Sequence, residues 1–505
     1  MKTTTDQAKI GYFIRSLREQ RGLTQGDLAK SLATSQSAVA RMEKGAQNFT
    51  LEQLAKISEV LDHKIVSLSD SVDFRVEGGR KLHGTIRTNY SKNGAIGLIA
   101  AALLNRGTTV LQGIPQIEEV HRMVEAFQSI GVKLRWTDAN TLEITPPKKY
   151  TFSKMNEGAF RKIRVGLYLF GALGKQVERF SLPHSGGCKM GKRTIAGHKG
   201  ALRAMGLKIK TTETHYQVSK GRLKGADITM LEAGDTSTIN ALLLAAQIPE
   251  TTTIRFCPPN YQVQEVCFFL QKLGVTIDGV GTTTLTVTGR EKFRSKIEYE
   301  NSEDPIESMM FISAAIVTNS TLTVTRCPID FLRLELEKLK AMGQKFDISP
   351  TYPAANGHTV LADITIHPSK LRALSDKIHP MPYPGINTDN LPFFVPIANM
   401  AQGTTLIHDW MWENRAIYFT ELNRLGAKVH LADPHRAYIE GPVKLQGAQV
   451  VCPPALRPAM IILIAMLGAE GISTLRNVYS IRRGYEEIAD RLNSIGANID
   501  VITGV

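Results

Sequence analysis

The sequence predicts an α/β (α+β) body of six βα repeats preceded by an all-α module. Three observations predict it. The text changes character near residue 70, from short helices with tight joints to alternating strands and helices. After that point six segments each read as an amphipathic helix, a glycine and a short strand: MVEAFQSIGVKLR, ALRAMGLKIK, FLQKLGVTID, LEKLKAMGQKFD, FTELNRLGAKVH and IADRLNSIGANID. Their glycines, Gly131, Gly206, Gly274, Gly343, Gly426 and Gly496, stand 75, 68, 69, 83 and 70 residues apart. Finally, segments such as AIGLIAAALLNRGTTVLQGIP, STINALLLAAQIPETTTIRFCPP and ESMMFISAAIVTNSTLTVTRCP join an alanine-rich helix to a Thr-rich strand. Those helices are apolar nearly all round, so they are expected inside their domains with sheets around them.

Composition narrows the function classes. A chain of 505 residues exceeds the roughly 100–200 residues of one domain, and 43% hydrophobic content excludes disorder for most of its length. No apolar run reaches the roughly 18 residues that span a bilayer, and MKTTTDQAKIGYFIRS lacks the apolar core of a signal peptide, so a cytoplasmic protein is expected. Cys188, Cys257, Cys267, Cys327 and Cys452 form an odd set without metal-ligand spacing; neither disulfides nor a metal site is expected. The formal charge is +14, yet residues 1–70 hold ten Lys/Arg against eight Asp/Glu. The basic excess therefore lies mostly in the body, where clustered cations suit a phosphorylated, carboxylated small molecule.

Within residues 1–70, Phe13, Leu17, Leu23, Leu28, Leu32, Val39, Met42, Leu51, Leu54, Ile57 and Leu61 fall at helical spacings. Thr24 reads as an N-cap before QGDLAKSL, and Thr34-Ser35 caps QSAVARMEK, which stops at Gly45. This wording is helix-turn-helix. The stretch LTQGDLAKSLATSQSAVARMEKGAQNFTLEQLAKISEVL resembles the Cro-type, xenobiotic-response-element family of DNA-binding domains. Gln36, Ser37 and Arg41, at the start of the second helix, are placed to meet base edges, and Gln25 to bond a phosphate. Duplex DNA is the expected partner, and a homodimer is expected with it, because such domains bind as pairs.

The body resembles the UDP-N-acetylglucosamine enolpyruvyl transferase family from FRVEGGRKLHG through SKNGAIGL, GGCKMGKR, NTDN, WENR and ALRPA to RRGYEEIADRLNSIGANI. The resemblance implies the two-domain enolpyruvyl transferase fold, an inside-out α/β barrel of three repeats per globule. The divisions expected are 1–70, the helix-turn-helix domain; 71–91, a linker and first strands packing with the C-terminal globule; 92–302, globule one with the cysteine loop; and 303–505, globule two.

The segment LPHSGGCKMGKR sets Cys188 among Lys189, Lys192 and Arg193 on a Gly-rich loop, which favours a reactive thiolate. Cys257, Cys267 and Cys327 read instead as packed apolar groups. By resemblance, Cys188 acts on phosphoenolpyruvate as an acid and is the residue fosfomycin alkylates. Lys92 and Arg193 hold the phosphate, Arg415, Arg457 and Arg483 the carboxylate side, and Asn93 adjoins them. Asp389 removes the acceptor hydroxyl proton, and Lys92 joins Cys188 and Asp389 in the catalytic set. Asn93, Arg164, Thr194, Ile195, His198, Asp389 and Met411 line the acceptor side. No cofactor is implied.

The acceptor side departs from the family. Ala196 stands where an aspartate usually reads the uracil edge, Glu232 aligns with a lysine that meets the diphosphate, and Glu118-Glu119 replace a Lys-Asp pair. The expected reaction is enolpyruvyl transfer from phosphoenolpyruvate to UDP-N-acetylglucosamine or a related nucleotide acceptor, releasing phosphate; with UDP-N-acetylglucosamine it is the first committed step of peptidoglycan synthesis. Two readings compete: another acceptor in specialised metabolism, or a transcriptional regulator whose body senses a ligand.

Overall fold

The computed structural model of the chain describes residues 6–21, 23–61, 72–186 and 194–503. The chain divides into two compact units, Met1–Asp73 with Ile502–Val505, and Phe74–Val501. The 70/71 division expected from the sequence lies outside the described residues.

The described residues of the smaller unit form four helices, α1 Asp6–Gln20, α2 Gln25–Ser31, α3 Gln36–Glu43 and α4 Leu51–Val60. Thr24 and Asp27 form a reciprocal capping box at α2, and the Ser35 hydroxyl accepts from Ala38 N at 3.2 Å to cap α3. Ile14, Leu17, Leu28, Val39, Met42, Leu54, Ile57 and Leu61 close one core. Through that core runs a buried ion pair, Arg18 Nε to Glu43 Oε1 at 2.5 Å, which ties α1 to α3.

The described residues of the larger unit carry six separate small sheets, one for each glycine of the repeat. Every one of those glycines has positive φ, from +87° at Gly274 and Gly426 to +103° at Gly496. The left-handed backbone closes a helix and feeds a strand, and a side chain there would be strained. The strands that follow are Lys133–Asp138, Leu207–Thr211, Thr276–Asp278, Lys345–Ile348, Lys428–Asp433 and Ile499–Thr503, one in each sheet. The sheets stay open rather than closing into one barrel, and "inside-out" describes helices at the centre. Helices Lys92–Ala102, Asp235–Ala245, Pro305–Val317 and Leu456–Gly468 are buried along nearly their whole length.

Three sheets draw all their strands from residues 109–300, and one hydrophobic cluster runs from Ala95 to Tyr299. Two of the other three are completed by the start of the body, and the third is built from residues 403–441 alone. Val72–Glu77 pairs antiparallel with Ile472–Arg476, and Thr85–Arg87 pairs parallel with Leu322–Pro328. The chain must therefore cross from the second set to the first at residues 88–92 and return at 300–305. The two crossings run side by side: Tyr90 bridges Glu303, Ser91 N donates to Ser302 O at 2.7 Å, and Lys92 N to Asp304 Oδ2 at 3.2 Å. Lys92 thus stands at the junction of the two sets.

Candidate functional site

Beside that junction opens a cavity of about 740 Å³. Its wall brings together Lys92, Asn93, Arg164, Thr194, Asp389, Met411, Arg415, Arg457 and Arg483 from distant parts of the chain. Ile195 and His198 are not among its lining residues. Both are buried; His198 Nδ1 faces Asn240 Nδ2 at 2.8 Å, and burial pushes its pKa down to about 3. A neutral packing histidine cannot replace the cation missing from the acceptor side. Cys188, Lys189, Lys192 and Arg193 lie outside the described residues.

Local structure explains how the cations are held. Lys92 opens helix Lys92–Ala102, whose cap Ser91 accepts from Gly94 N at 2.9 Å. Its ammonium meets Glu119 Oε2 at 3.1 Å. Burial alone would raise the Glu119 pKa, but Lys92 and Arg483 more than offset it and hold this carboxyl below its ordinary value. Arg415 is fully buried, clamped by Asp409 at 2.5 Å through Nε and 2.8 Å through Nη2. Its Nη1 has no hydrogen-bond partner. A buried guanidinium whose Nη1 N–H groups are left over is suited to an incoming anion. Arg457 donates from Nη1 to the Tyr485 hydroxyl at 2.7 Å and from Nη2 to Asp389 Oδ2 at 3.1 Å.

Asp389 sits in a turn made by Asn387, whose Oδ1 accepts from Asp389 N at 2.9 Å. Desolvation pushes its pKa up, whereas Arg457, Arg415 and Lys92 pull it down, and the net result is a carboxyl below its ordinary value. Arg164 lines the opposite side, donating to Thr194 O at 3.3 Å; burial lowers its pKa. Asn93 Nδ2 donates to the Tyr261 hydroxyl at 2.8 Å.

Several lining groups went unnoticed in the sequence. Asp235 follows Glu232 by three residues in MLEAGDTST and opens helix Asp235–Ala245. Burial pushes its pKa up to about 7. Gln262, Phe256, Trp410 and Trp412 complete the wall. Phe256 has φ +60° and is 54% exposed; Gly113, Arg326 and Asn477 take the same left-handed turn after the Thr-rich strands of other repeats. Asp304 is not on the wall but is buried behind it, accepting from Lys92 N; as the N-cap before Pro305 it carries the clearest sequence signal, Asp-Pro at a helix start.

In the smaller unit Gln36 and Ser37 are exposed in the first turn of α3 and Arg41 in its last. Gln25 differs from its expected part. Its amide nitrogen donates to Glu43 Oε2 at 2.8 Å, inside the unit, rather than standing clear for a phosphate. Among the described residues Cys257, Cys267, Cys327 and Cys452 are buried, and burial pushes Cys257 up to about 11 and Cys327 and Cys452 up to about 12. No group of His, Cys, Asp and Glu suited to a metal ion occurs among the described residues, and no described helix is long and apolar enough to cross a membrane.

Comparison with known proteins agrees with this geometry. The family described as EPSP synthase (3-phosphoshikimate 1-carboxyvinyltransferase) matches residues 76–492, and a helix-turn-helix family matches 14–65. The UDP-N-acetylglucosamine 1-carboxyvinyltransferase of Treponema denticola is 34% identical over 432 residues, covering 85% of this chain and 99% of that protein. The protein of the same name from Bradyrhizobium diazoefficiens is 32% identical, covering 85% and 97%. Among solved structures, the enolpyruvyl transferase NikO from Streptomyces tendae matches with a TM-score of 0.75 at 23% identity, over 86% of this chain and all of that one. EPSP synthase from Acinetobacter baumannii matches with a TM-score of 0.66 at 18% identity, over 86% of this chain and 100% of that chain, which speaks to fold alone. A match over most of the body, reached independently of the cationic cavity at its junction, leaves one assignment: the chain belongs to the EPSP synthase family of carboxyvinyl (enolpyruvyl) transferases, with a helix-turn-helix domain added in front.

Proposed function

We propose that the body transfers the carboxyvinyl group of phosphoenolpyruvate to a hydroxyl of UDP-N-acetylglucosamine or a related nucleotide acceptor. The observation that carries this reading is the convergence of Lys92, Arg415, Arg457 and Arg483 on the wall that also holds Asp389. A donor with a phosphate and a carboxylate needs several fixed cations, and the unpartnered Nη1 of Arg415 offers one of its hydrogen bonds. In the proposed sequence, a proton adds to C3 of phosphoenolpyruvate, Cys188 being its source. The acceptor oxygen bonds to C2 as Asp389 takes the hydroxyl proton. C3 then returns a proton to the Cys188 thiolate as the C2–O bond to phosphate breaks, the proton on Asp389 passes to the departing phosphate, and the carboxyvinyl ether leaves.

The test is phosphate release from phosphoenolpyruvate with a panel of UDP-sugars and nucleotides, for wild type and Cys188→Ala. Release that depends on an acceptor and falls in the variant supports the reading. No release with any acceptor favours a ligand-sensing body instead.

For residues 1–70 the proposed partner is duplex DNA, bound by a homodimer. The capped α3 with its exposed Gln36, Ser37 and Arg41 supports this.

A further inference from the structure

One stretch of the cavity wall, at Asp235 and Gln262, carries buried acceptors that lack donors. Asp235 Oδ2 accepts from Asn260 Nδ2 at 3.1 Å and from Gln262 Nε2 at 2.6 Å. Its other oxygen, Oδ1, is buried and has no partner. Gln262 is 7% exposed, and its Oε1 is likewise buried without a partner. Its amide cannot simply be reversed, because that would press Oε1 against Asp235 Oδ2. Two neighbouring buried acceptors therefore lack donors on a wall that also carries Glu232. Leaving such groups unsatisfied is costly, so a ligand that supplies N–H groups gains from both.

The position of this seat relative to the reaction is also fixed. Asp389 N donates to Asn387 Oδ1 at 2.9 Å, Asn387 Nδ2 reaches Asn260 Oδ1 at 3.4 Å, and Asn260 Nδ2 bonds Asp235 Oδ2. Two asparagine side chains thus join the turn of the proposed base to the carboxyl that lacks a donor. The charge of Asp389 also helps raise the Asp235 pKa, so in this reading a group held by Asp235 is placed toward the hydroxyl that Asp389 would deprotonate.

Resting on the enolpyruvyl transfer reading, we propose that the acceptor carries a free amine near the attacked hydroxyl, and that Asp235 and Gln262 bind it. Glu232 strengthens the preference by opposing anions at the same end. An acetylated nitrogen keeps one N–H but loses the positive charge, and its acyl group has to fit beside two carboxylates. The charge-assisted bonds to Asp235 belong to the amine.

The experiment compares two matched pairs as acceptors: glucosamine with N-acetylglucosamine, and UDP-glucosamine with UDP-N-acetylglucosamine. The readout is kcat/KM for phosphate release at saturating phosphoenolpyruvate, with phosphoenolpyruvate binding measured separately by calorimetry. The amine member is expected to exceed its acetylated partner at least tenfold in one or both pairs. Asp235→Asn keeps the shape and removes the charge, and should bring the ratio close to one while phosphoenolpyruvate binding is unchanged; Glu232→Gln, on an exposed side chain, should reduce it in the same direction. An acetylated partner that is equal or better, a ratio untouched by Asp235→Asn, or turnover of none of the four despite phosphoenolpyruvate binding overturns the amine assignment. Failure to bind phosphoenolpyruvate at all would instead overturn the transfer reading beneath it.

Discussion

Arg457 holds Asp389 by two donors on one oxygen, Nη2 at 3.1 Å and Nε at 3.3 Å, while Arg415 Nη1 stands 4.0 Å from the other oxygen. The proposed base is thus bound by the same cations that would receive the donor's negative charges. With the site open, those cations lower its pKa, and a carboxylate so stabilised is a weak base. An anionic donor that draws Arg457, Arg415 and Lys92 to itself also restores the basicity of Asp389.

The pH profile follows from this coupling. The acid limb of kcat/KM for the acceptor, measured at saturating phosphoenolpyruvate, should lie higher than the Asp389 titration of the enzyme alone, followed by carboxyl NMR. Asp389→Asn should reduce kcat by about 10²–10⁴-fold. Phosphoenolpyruvate binding should persist or tighten in that variant, because a competing carboxylate is gone. Loss of phosphoenolpyruvate binding would show that Asp389 organises the cations instead.

Fosfomycin should label Cys188 and no other cysteine. Cys257, Cys267, Cys327 and Cys452 are buried, with thiol pKa values raised by that burial, so their thiolates are scarce near neutrality. Peptide mapping by mass spectrometry checks this; a label on a second cysteine would place the reactive thiol elsewhere.

Asp235 also makes a stability prediction. Its folded pKa of about 7 lies above the ordinary carboxylate value, so the folded body takes up a proton more readily than the unfolded chain. The cost of the buried charge is fully present above pH 7 and is relieved as pH falls toward the unfolded value. Asp235→Asn should therefore raise the unfolding temperature at pH 8 by at least about 2 °C, with the gain shrinking at pH 5. Equal shifts at both pH values would contradict a buried charge.

In the N-terminal unit Glu43 accepts from both Arg18 and Gln25. Glu43→Ala takes from Arg18 its buried two-point partner and leaves it Glu19 and the Leu23 carbonyl, and should destabilise the unit by about 1–3 kcal/mol. Arg41→Ala leaves that core alone and should weaken duplex binding, with affinity in wild type falling steeply as salt rises. A chain lacking residues 1–70 should keep a folded body, which circular dichroism can follow.

Much of the architecture was legible because its signals are local. The six repeat glycines had to be glycine for a backbone reason, and each proves to hold a left-handed turn before a strand. The capping of α2 by Thr24 and of α3 by Ser35 was equally readable. The cavity's cations were legible through family resemblance; no periodicity connects Lys92 with Arg457, which only the crossing of the chain at 88–92 and 300–305 brings together. The bond of Gln25 to Glu43 had no local signal, because that partner lies eighteen residues away on another helix. Ile195 and His198 sat in the right motif, but they face the core. The unpaired atoms of Asp235 and Gln262 have no sequence signature, since being unsatisfied is a property of three-dimensional surroundings.

The central claim is carboxyvinyl transfer from phosphoenolpyruvate, and its most direct test is product mass. Incubated with phosphoenolpyruvate and the acceptor panel, wild type is predicted to add one carboxyvinyl group to an acceptor and to release an equal amount of phosphate, both lost in Cys188→Ala. Tight phosphoenolpyruvate binding with no acceptor gaining that mass would contradict the account and leave the body a sensor.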